Sequence, residues 1–206
     1  AKIIVDLLTE HFGRLSFACN MPRTNRAKIK RQLFQPLTLL EIEFDHRPNI
    51  QLQRLRDARM PFPFASIPYN ETKLAIALFV AEFLCYATRD EQQNDPLYKY
   101  VEASVRWLDG AQQAFVNFHL AFMIRLSRFL GFFPNLENFS RGCLFDLRSG
   151  CFVTAIHMHN DYLQSADAEQ LANIMRITPQ NMHLFALSHN ERNRCTQLAI
   201  NFYRLH

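Results

Sequence analysis

Glycine is scarce in this sequence, and paired cysteines are missing from it. Five Gly among 206 residues leave no material for a glycine-rich loop that cradles phosphate. The five cysteines are odd in number and scattered, and no two of them form a CxxC pair. This pattern argues against a disulfide framework and a zinc knuckle, and it favours a reducing compartment.

A long uninterrupted apolar run is also missing. The most apolar stretch, residues 115–133, contains Asn117, His119, Arg125 and Arg128. An arginine at the centre of a bilayer costs about 2.5–3.5 kcal/mol, so we interpret this stretch as a buried helix and not a membrane span. The apolar run after Lys2 is too short for a signal peptide. We therefore expect a cytoplasmic protein that does not contact the membrane.

Positive charge is concentrated in the first third of the chain. Residues 1–60 carry eleven Lys and Arg against six Asp and Glu, while the whole chain has a formal net charge of only +4. The segment 14–31 has six cations and no acid: Arg14, Arg23, Arg26, Lys28, Lys30 and Arg31. Such a segment is either a contact for a nucleic-acid backbone or a solvated basic loop. Arg54, Arg56 and Arg59 could extend it. The nearby aromatics Phe12, Phe17 and Phe34 could stack bases or belong to the core.

Short apolar runs fill residues 2–59, at spacings typical of a small barrel. The predicted strands are KIIVDLLT (2–9), RLSFACN (14–20), LFQPLTLLEIEF (33–44) and QLQRLRDAR (51–59). Residues 61–69 then contain three prolines, which exclude helix and mark a linker. We predict domains at 1–60 and 70–206, joined by this linker.

Helical periodicity dominates after the linker. Asn70 has the character of an N-cap, and the periodic runs that follow predict a helical bundle around 115–133. A hairpin is predicted near 144–153, and further helices begin at Ser165 and from a cap at Asn190. The predicted fold class is α+β, with an N-terminal barrel and a helical domain that carries a small β-hairpin insertion.

Residues for catalysis or metal binding are weakly represented. Glu41, Glu43 and Asp45 could hold a divalent metal in a nuclease, but alternating acids are typical of a wet strand face. The possible metal ligands lack the close pairs of a structural zinc site: Cys143, Cys151, His157, His159, His183 and His189. We therefore predict a protein that is not an enzyme and has no metal or other cofactor.

Several stretches in order resemble one family. They are IVDLLTEHFGR (4–14), NRAKIKRQLFQPL (25–37), AIALFVAEFL (75–84), FMIRLSRFLGFFPNL (122–136), LFDLRSGCF (144–152), NERNRC (190–195) and FYRLH (202–206). Together they cover nearly the whole chain, and they resemble the RecO family of bacterial recombination mediators, in the form found in Bacteroides-like bacteria.

The resemblance implies an N-terminal OB-fold and a DNA-repair role. Members of this family bind single- and double-stranded DNA, anneal complementary strands and, with RecR, help load RecA onto single-stranded DNA covered by SSB. The DNA surface would be formed by the cations of 14–31 together with Arg54 and Arg56. The FxxRL motif implies a pocket for the acidic C-terminal tail of SSB, formed by Phe122, Arg125, Leu126, Arg128 and Phe129.

Two departures from the family pattern and one alternative function stand beside this resemblance. Only Cys143 and Cys151 occur where many members have four zinc-binding cysteines, so we expect packing of Phe145, Leu147 and Phe152 in place of the metal. The first strand of the family would precede residue 4, so we expect a longer natural protein. The alternative is a protein-interaction scaffold that binds an acidic peptide tail without contacting DNA.

Overall fold

The computed structural model describes residues 2–20, 31–89, 92–155 and 159–206. Contacts between Cα atoms divide the chain into two compact units, Ala1–Gly110 and Ala111–His206. A β-rich region therefore precedes a helical one, which confirms the α+β class. The domain limits at 1–60, 61–69 and 70–206 stay a prediction.

Four strands form the sheet of the first unit: β1 (Lys2–Thr9), β2 (Gly13–Asn20), β3 (Glu41–Phe44) and β4 (Leu52–Arg59). Their order in the sheet is β1-β2-β4-β3, with β2 and β4 parallel and the other pairs antiparallel. Phe17, Cys19, Leu55 and Ala58 are buried on one face, against apolar side chains of β1 and β3. Because side chains alternate between the two faces, Ala18 of β2 and Arg54 and Arg56 of β4 lie on the opposite face, and an irregularity in the pairing with β3 lets both Leu55 and Ala58 face the core.

The strand predicted over 33–44 was wrong for most of its length. Residues Arg31–Phe34 form a 3-10 turn, and the strand comprises only Glu41–Phe44. Leu37 has a φ of 62°, and it follows Pro36, which has no N–H to donate. Leu33 and Phe34 still pack against the core of the sheet, so their burial takes place without strand pairing.

The segment between the sheet and the helices is fastened by one carboxylate. Asp109 accepts hydrogen bonds from the backbone N–H groups of Ala65, Ser66 and Ile67, at 2.8 to 2.9 Å. The buried Lys73 ammonium donates to Ser66 Oγ at 2.6 Å and to the Asp109 carbonyl at 2.9 Å. Burial alone would raise the pKa of Asp109, but these N–H donors hold it below its ordinary value.

Two helices complete the first unit, α1 (Glu71–Ala87) and α2 (Asp95–Gly110). The predicted cap is confirmed, because the Asn70 side chain accepts a hydrogen bond from the Lys73 N–H at 3.0 Å. In α2, Leu97, Val101, Val105 and Leu108 are buried at helical spacing.

The second unit contains α3 (Phe118–Phe129), α4 (Ser165–Met175) and α5 (His189–Tyr203). Eight of the twelve residues of α3 are buried, as predicted for the central helix. The predicted cap of the last helix was wrong by two residues. Ser188 and Glu191 form a capping box, in which Ser188 N–H donates to the Glu191 carboxylate at 2.7 Å.

The predicted hairpin is confirmed as β5 (Leu144–Asp146) and β6 (Cys151–Val153), to which β7 (Tyr162–Leu163) adds a third strand. Phe145, Leu147 and Phe152 are buried, and the Phe145 ring also packs against Phe202 of α5, with 5.8 Å between centroids. Aromatic packing therefore ties the hairpin to the last helix. Within the described ranges, no helix is long and apolar enough to cross a bilayer.

Candidate nucleic-acid interface

Most of the predicted basic loop lies outside the residues that the structure describes. Arg23, Arg26, Lys28 and Lys30 belong to 21–30, and their predicted contact with DNA stays a prediction. Arg31 is described and is exposed at the start of the 3-10 turn. The predicted DNA-contact residues whose positions the structure describes are therefore Arg14, Arg31 and the cations of β4.

Arg14 is held by protein partners on β1 and α1. Its guanidinium lies 3.1 Å from the Asp6 carboxylate and donates to the Cys85 carbonyl at 3.0 Å, and its side chain is only 18% exposed. Burial alone would raise the pKa of Asp6, but hydrogen bonds from Ser16 and Arg14, with the charge of Arg14, hold it below its ordinary value. A contact between Arg14 and a phosphate would have to break these interactions.

The pleat of β4 directs its arginines to solvent. Gln53 and Leu55 are buried, whereas Arg54 and Arg56, which alternate with them along the strand, are exposed. Arg56 forms an ion pair with Asp45 at the end of β3, and Arg59 forms one with Glu41 at 2.6 Å. Arg54 has no carboxylate partner among the described residues, so its charge is available to an anion.

A loop beside these arginines is fixed through its backbone by one buried amide. The Gln53 side chain is 3% exposed. It accepts a hydrogen bond from Arg47 N–H at 3.0 Å and donates to the carbonyls of Arg47, at 2.9 Å, and Ile50. The loop between β3 and β4 is thus ordered without using the Arg47 side chain, which is exposed.

This loop and β4 enclose a cavity of about 490 Å³. Arg47, Arg54 and Arg56 supply its positive charge, and Asp45 is the one carboxylate in its wall. The remaining lining residues are Ile50, Leu52, Gln53 and Leu55. Guanidinium groups bind phosphate oxygens through paired N–H donors, and the exposed side chains of Ile50 and Leu52 offer a surface for sugar or base. The cavity therefore has the chemistry of a nucleotide contact.

Sequence reasoning identified Arg54 and Arg56 but missed Arg47. A basic residue in the turn His46-Arg47-Pro48-Asn49 was visible in the sequence. Its position beside the β4 arginines depends on the fold of the loop around Gln53, which no local pattern reveals. The structure brings the three arginines together and leaves Arg31 outside this lining.

Two of the three β3 acids that could have held a metal are used in ion pairs. Glu41 and Asp45 each contact an arginine of β4, and Glu43 lies opposite Asp57 in the strand register. Across the described part of the chain, no group of three or more His, Cys, Asp and Glu side chains is arranged to hold a metal ion. His157, another predicted candidate, lies outside that part.

The predicted peptide pocket on α3 is divided between core and surface. Phe122 and Leu126 are buried at 1% and 0% exposure, and Phe129 is half-buried. Arg125 is half-buried, and its Nε donates to the Ile177 carbonyl at 3.4 Å. Arg128 is exposed, with its guanidinium 4.4 Å from the centre of the Phe133 ring. Of these five residues, the two arginines and part of Phe129 therefore reach the surface, where a ligand could contact them.

Neither arginine of α3 has a carboxylate partner within the described ranges. An arginine on an apolar helix either pairs with a buried acid or lies at the rim of a groove, where it can hold a ligand anion beside hydrophobic walls. The first alternative is not observed within those ranges. The second alternative, an anion held beside an aromatic wall, agrees with the position of Arg128 on Phe133.

Comparison with known proteins assigns both parts of the chain to one family. Residues 1–64 match the family model for the Recombination protein O N terminal region, and residues 70–206 match the model for its C terminal region. The DNA repair protein RecO of Bacteroides fragilis is 46% identical over 204 residues, which cover 98% of this chain and 84% of that protein. The DNA repair protein RecO of Phocaeicola vulgatus is 44% identical over 203 residues, with the same shares covered. The DNA repair protein RecO of Flavobacterium psychrophilum is 28% identical over 201 residues, covering 98% of this chain and 81% of that protein. The chain therefore belongs to the RecO family.

Proposed function

We propose that this chain is a non-enzymatic mediator of DNA repair and homologous recombination. It binds single- and double-stranded DNA, anneals complementary strands and, together with RecR, helps load RecA onto single-stranded DNA covered by SSB. It acts in the cytoplasm, where these partners meet. The observation that carries the proposal is the cavity lined by Arg47, Arg54 and Arg56 on the β-rich unit.

Phosphate contacts account for both kinds of DNA binding. Each cation that neutralises a phosphate releases condensed counterions, which favours binding at low salt regardless of sequence. The Arg47 side chain and Arg54 are exposed, and neither is paired with an acid within the described ranges. Membership of a family whose relatives are named DNA repair proteins supports the same role.

The α3 arginines are proposed to hold the acidic tail of SSB. Arg128 lies against an aromatic ring, so a carboxylate beside it would contact both charge and an apolar wall. Titration of a fluorescent SSB-tail peptide is expected to show weaker binding to Arg125→Ala and Arg128→Ala. Unchanged affinity in both variants would place the tail elsewhere.

Fluorescence anisotropy of a labelled oligonucleotide tests the DNA contact. Arg47→Ala and Arg54→Ala are expected to weaken binding and to flatten its salt dependence. For single strands, each phosphate that is no longer neutralised reduces the slope of log K against log salt by about 0.7. Lys99→Ala is the matched control, because it removes an exposed positive charge from α2. Binding that does not vary with salt would refute the proposal.

A scaffold that binds only the peptide is the second candidate, and the α3 arginines, which have no carboxylate partner within the described ranges, favour it. Annealing of complementary strands coated with SSB separates the two functions. The mediator is expected to accelerate annealing and to lose this activity in Arg54→Ala, whereas a scaffold binds the peptide without accelerating annealing.

A further inference from the structure

Two exposed rings meet at one end of the sheet in the first unit. Phe12 lies in the turn between β1 and β2, and His46 follows β3. Their centroids are 4.2 Å apart, and the ring planes are tilted by 32°. Phe12 is 40% exposed and His46 is exposed, so solvent reaches both rings. A pair of flat ring surfaces is thus kept close together outside the core.

The backbone holds each ring from its own side. Thr9 Oγ1 accepts a hydrogen bond from Phe12 N–H at 3.1 Å and donates to the Gly13 carbonyl at 2.7 Å. Gly13 has a φ of 66°, which a residue without a side chain adopts at little cost. On the other side, His46 precedes Arg47, whose N–H is bound by the buried Gln53. The rings are therefore positioned before any ligand arrives.

A third ring anchors the pair to the core. Phe44 contacts Phe12 edge-on, with 5.7 Å between centroids, and contacts the fully buried Phe17 in the same manner at 4.9 Å. Edge-to-face contacts of this kind stabilise aromatic pairs beyond the area that they bury. Of the three aromatics near the basic segment, Phe17 is core and the half-buried Phe34 packs against it, so Phe12 is the most exposed of the three.

Neither ring lines the arginine cavity, but His46 is the chain neighbour of two residues that do. His46 lies between Asp45, which pairs with Arg56, and Arg47, which lines the cavity. Consecutive Cα atoms are about 3.8 Å apart, so the backbone that carries the His46 ring continues directly into the wall of the cavity. Proteins that bind single strands combine these two elements, cations for the backbone and aromatic faces for the bases.

We infer that Phe12 and His46 form a stacking platform for an unpaired nucleobase of single-stranded DNA. This inference rests on the proposed DNA-binding function and adds a division of labour within the site. The arginines bind phosphates in single strands and duplexes alike. The platform contacts only a base whose face is free, and base pairing with stacking hides that face in a duplex. The Phe12–His46 platform therefore makes the site bind single strands more tightly than duplexes.

The test compares three ligands of equal length: a thymidine oligonucleotide, an abasic strand that keeps its phosphates, and a duplex. Phe12→Leu keeps an apolar side chain against Phe44 and removes the ring. It is expected to weaken binding to the thymidine strand by about 5- to 150-fold, the range for removing the stacking of one base. His46→Ala is expected to act in the same direction. Affinity for the abasic strand and the duplex stays unchanged in both variants.

Phe62→Leu is the matched control, because Phe62 is 54% exposed in the same unit and packs under Arg106 instead of the platform. It is expected to leave all three affinities unchanged. Equal affinity of wild type and Phe12→Leu for the thymidine strand would overturn the inference while leaving the proposed function intact. Equal weakening for all three ligands would also overturn it, since the ring would then serve the fold. Failure of wild type to bind any of the ligands would refute the proposed function itself.

Discussion

The ion pair between Asp45 and Arg56 limits how many arginines of the cavity can reach phosphate. The two side chains are 54% and 65% exposed, respectively. An exposed pair of this kind contributes only about 0–1 kcal/mol, so a phosphate competes with the carboxylate for the same guanidinium. Asp45→Asn removes the competing charge and keeps the shape of the side chain. We expect it to tighten binding to single-stranded DNA.

The size of the effect follows from counterion release. One additional phosphate contact steepens the slope of log K against log salt by about 0.7 for single strands. Lowering the salt fourfold, from about 200 to about 50 mM, raises the binding constant of both proteins. With this additional slope, the increase for the variant is roughly 2.5 times the increase for wild type. Anisotropy titrations of a labelled oligonucleotide at several salt concentrations measure the slope directly.

Glu41→Gln provides the matched control, since it makes the same charge change on the same strand. Its partner, Arg59, does not line the cavity. If Glu41→Gln steepens the slope as much as Asp45→Asn does, the effect comes from net charge. If Asp45→Asn retains its effect in an Arg56→Ala background, Arg56 is not the residue released. Either result would refute the reasoning.

Three further predictions concern stability and reactivity. Asp109→Ala removes the acceptor for three backbone N–H groups. It is expected to lower the free energy of unfolding of the first unit by about 1.5–3 kcal/mol, measured by urea titration with the fluorescence of the single tryptophan, Trp107. A decrease under about 1 kcal/mol would contradict the fastening role. Burial, with the nearby charge of Arg192, lowers the pKa of His119 to about 4, below its unfolded value, so the unfolded chain binds the proton first as pH falls. The contribution of His119 to the free energy of unfolding is therefore fully present above about pH 6.5 and falls by roughly 2 kcal/mol between pH 7 and pH 5. His119→Gln is expected to abolish this decrease in urea titrations followed by circular dichroism. Cys85 and Cys151 are half-buried, whereas Cys19, Cys143 and Cys195 are buried, and burial raises the pKa of the Cys195 thiol to about 11. A thiol reagent is therefore expected to label the two half-buried cysteines before the three buried ones, which peptide mapping measures.

Local patterns were sufficient where one face of an element is apolar. The short apolar runs at 2–9 and 14–20 predicted β1 and β2 almost to the residue. The central helix was predicted from its phenylalanine spacing, although it begins at Phe118 and ends at Phe129, inside the predicted 115–133. Helix ends depend on caps and on packing, which hydrophobic spacing does not report.

Contacts that join distant residues could not be predicted. Arg14 was expected to be a DNA contact because its neighbours in sequence are basic, but its partner carbonyl is 71 residues away on α1. Gln53 lies in the predicted strand 51–59, and it is buried with its amide bound to the backbone of the preceding loop, which the strand pattern does not indicate. The cavity could not be derived from composition for the same reason, since Arg47 lies beside it in a loop whose backbone the Gln53 amide binds.

Holding a loop by its backbone has a consequence for how this surface can change. The Gln53 amide binds the N–H of Arg47 and the carbonyls of Arg47 and Ile50, which every amino acid except proline supplies at those positions. Side chains at 46, 47 and 50 can therefore be exchanged while the loop keeps its path. Substitutions at these three positions can change affinity and base preference, whereas Gln53 has to be retained for the loop to keep its path. A library randomised at 46, 47 and 50 should yield folded proteins with diverse DNA binding. Gln53→Leu should abolish the conformation of the loop, although the residues of the loop itself are unchanged.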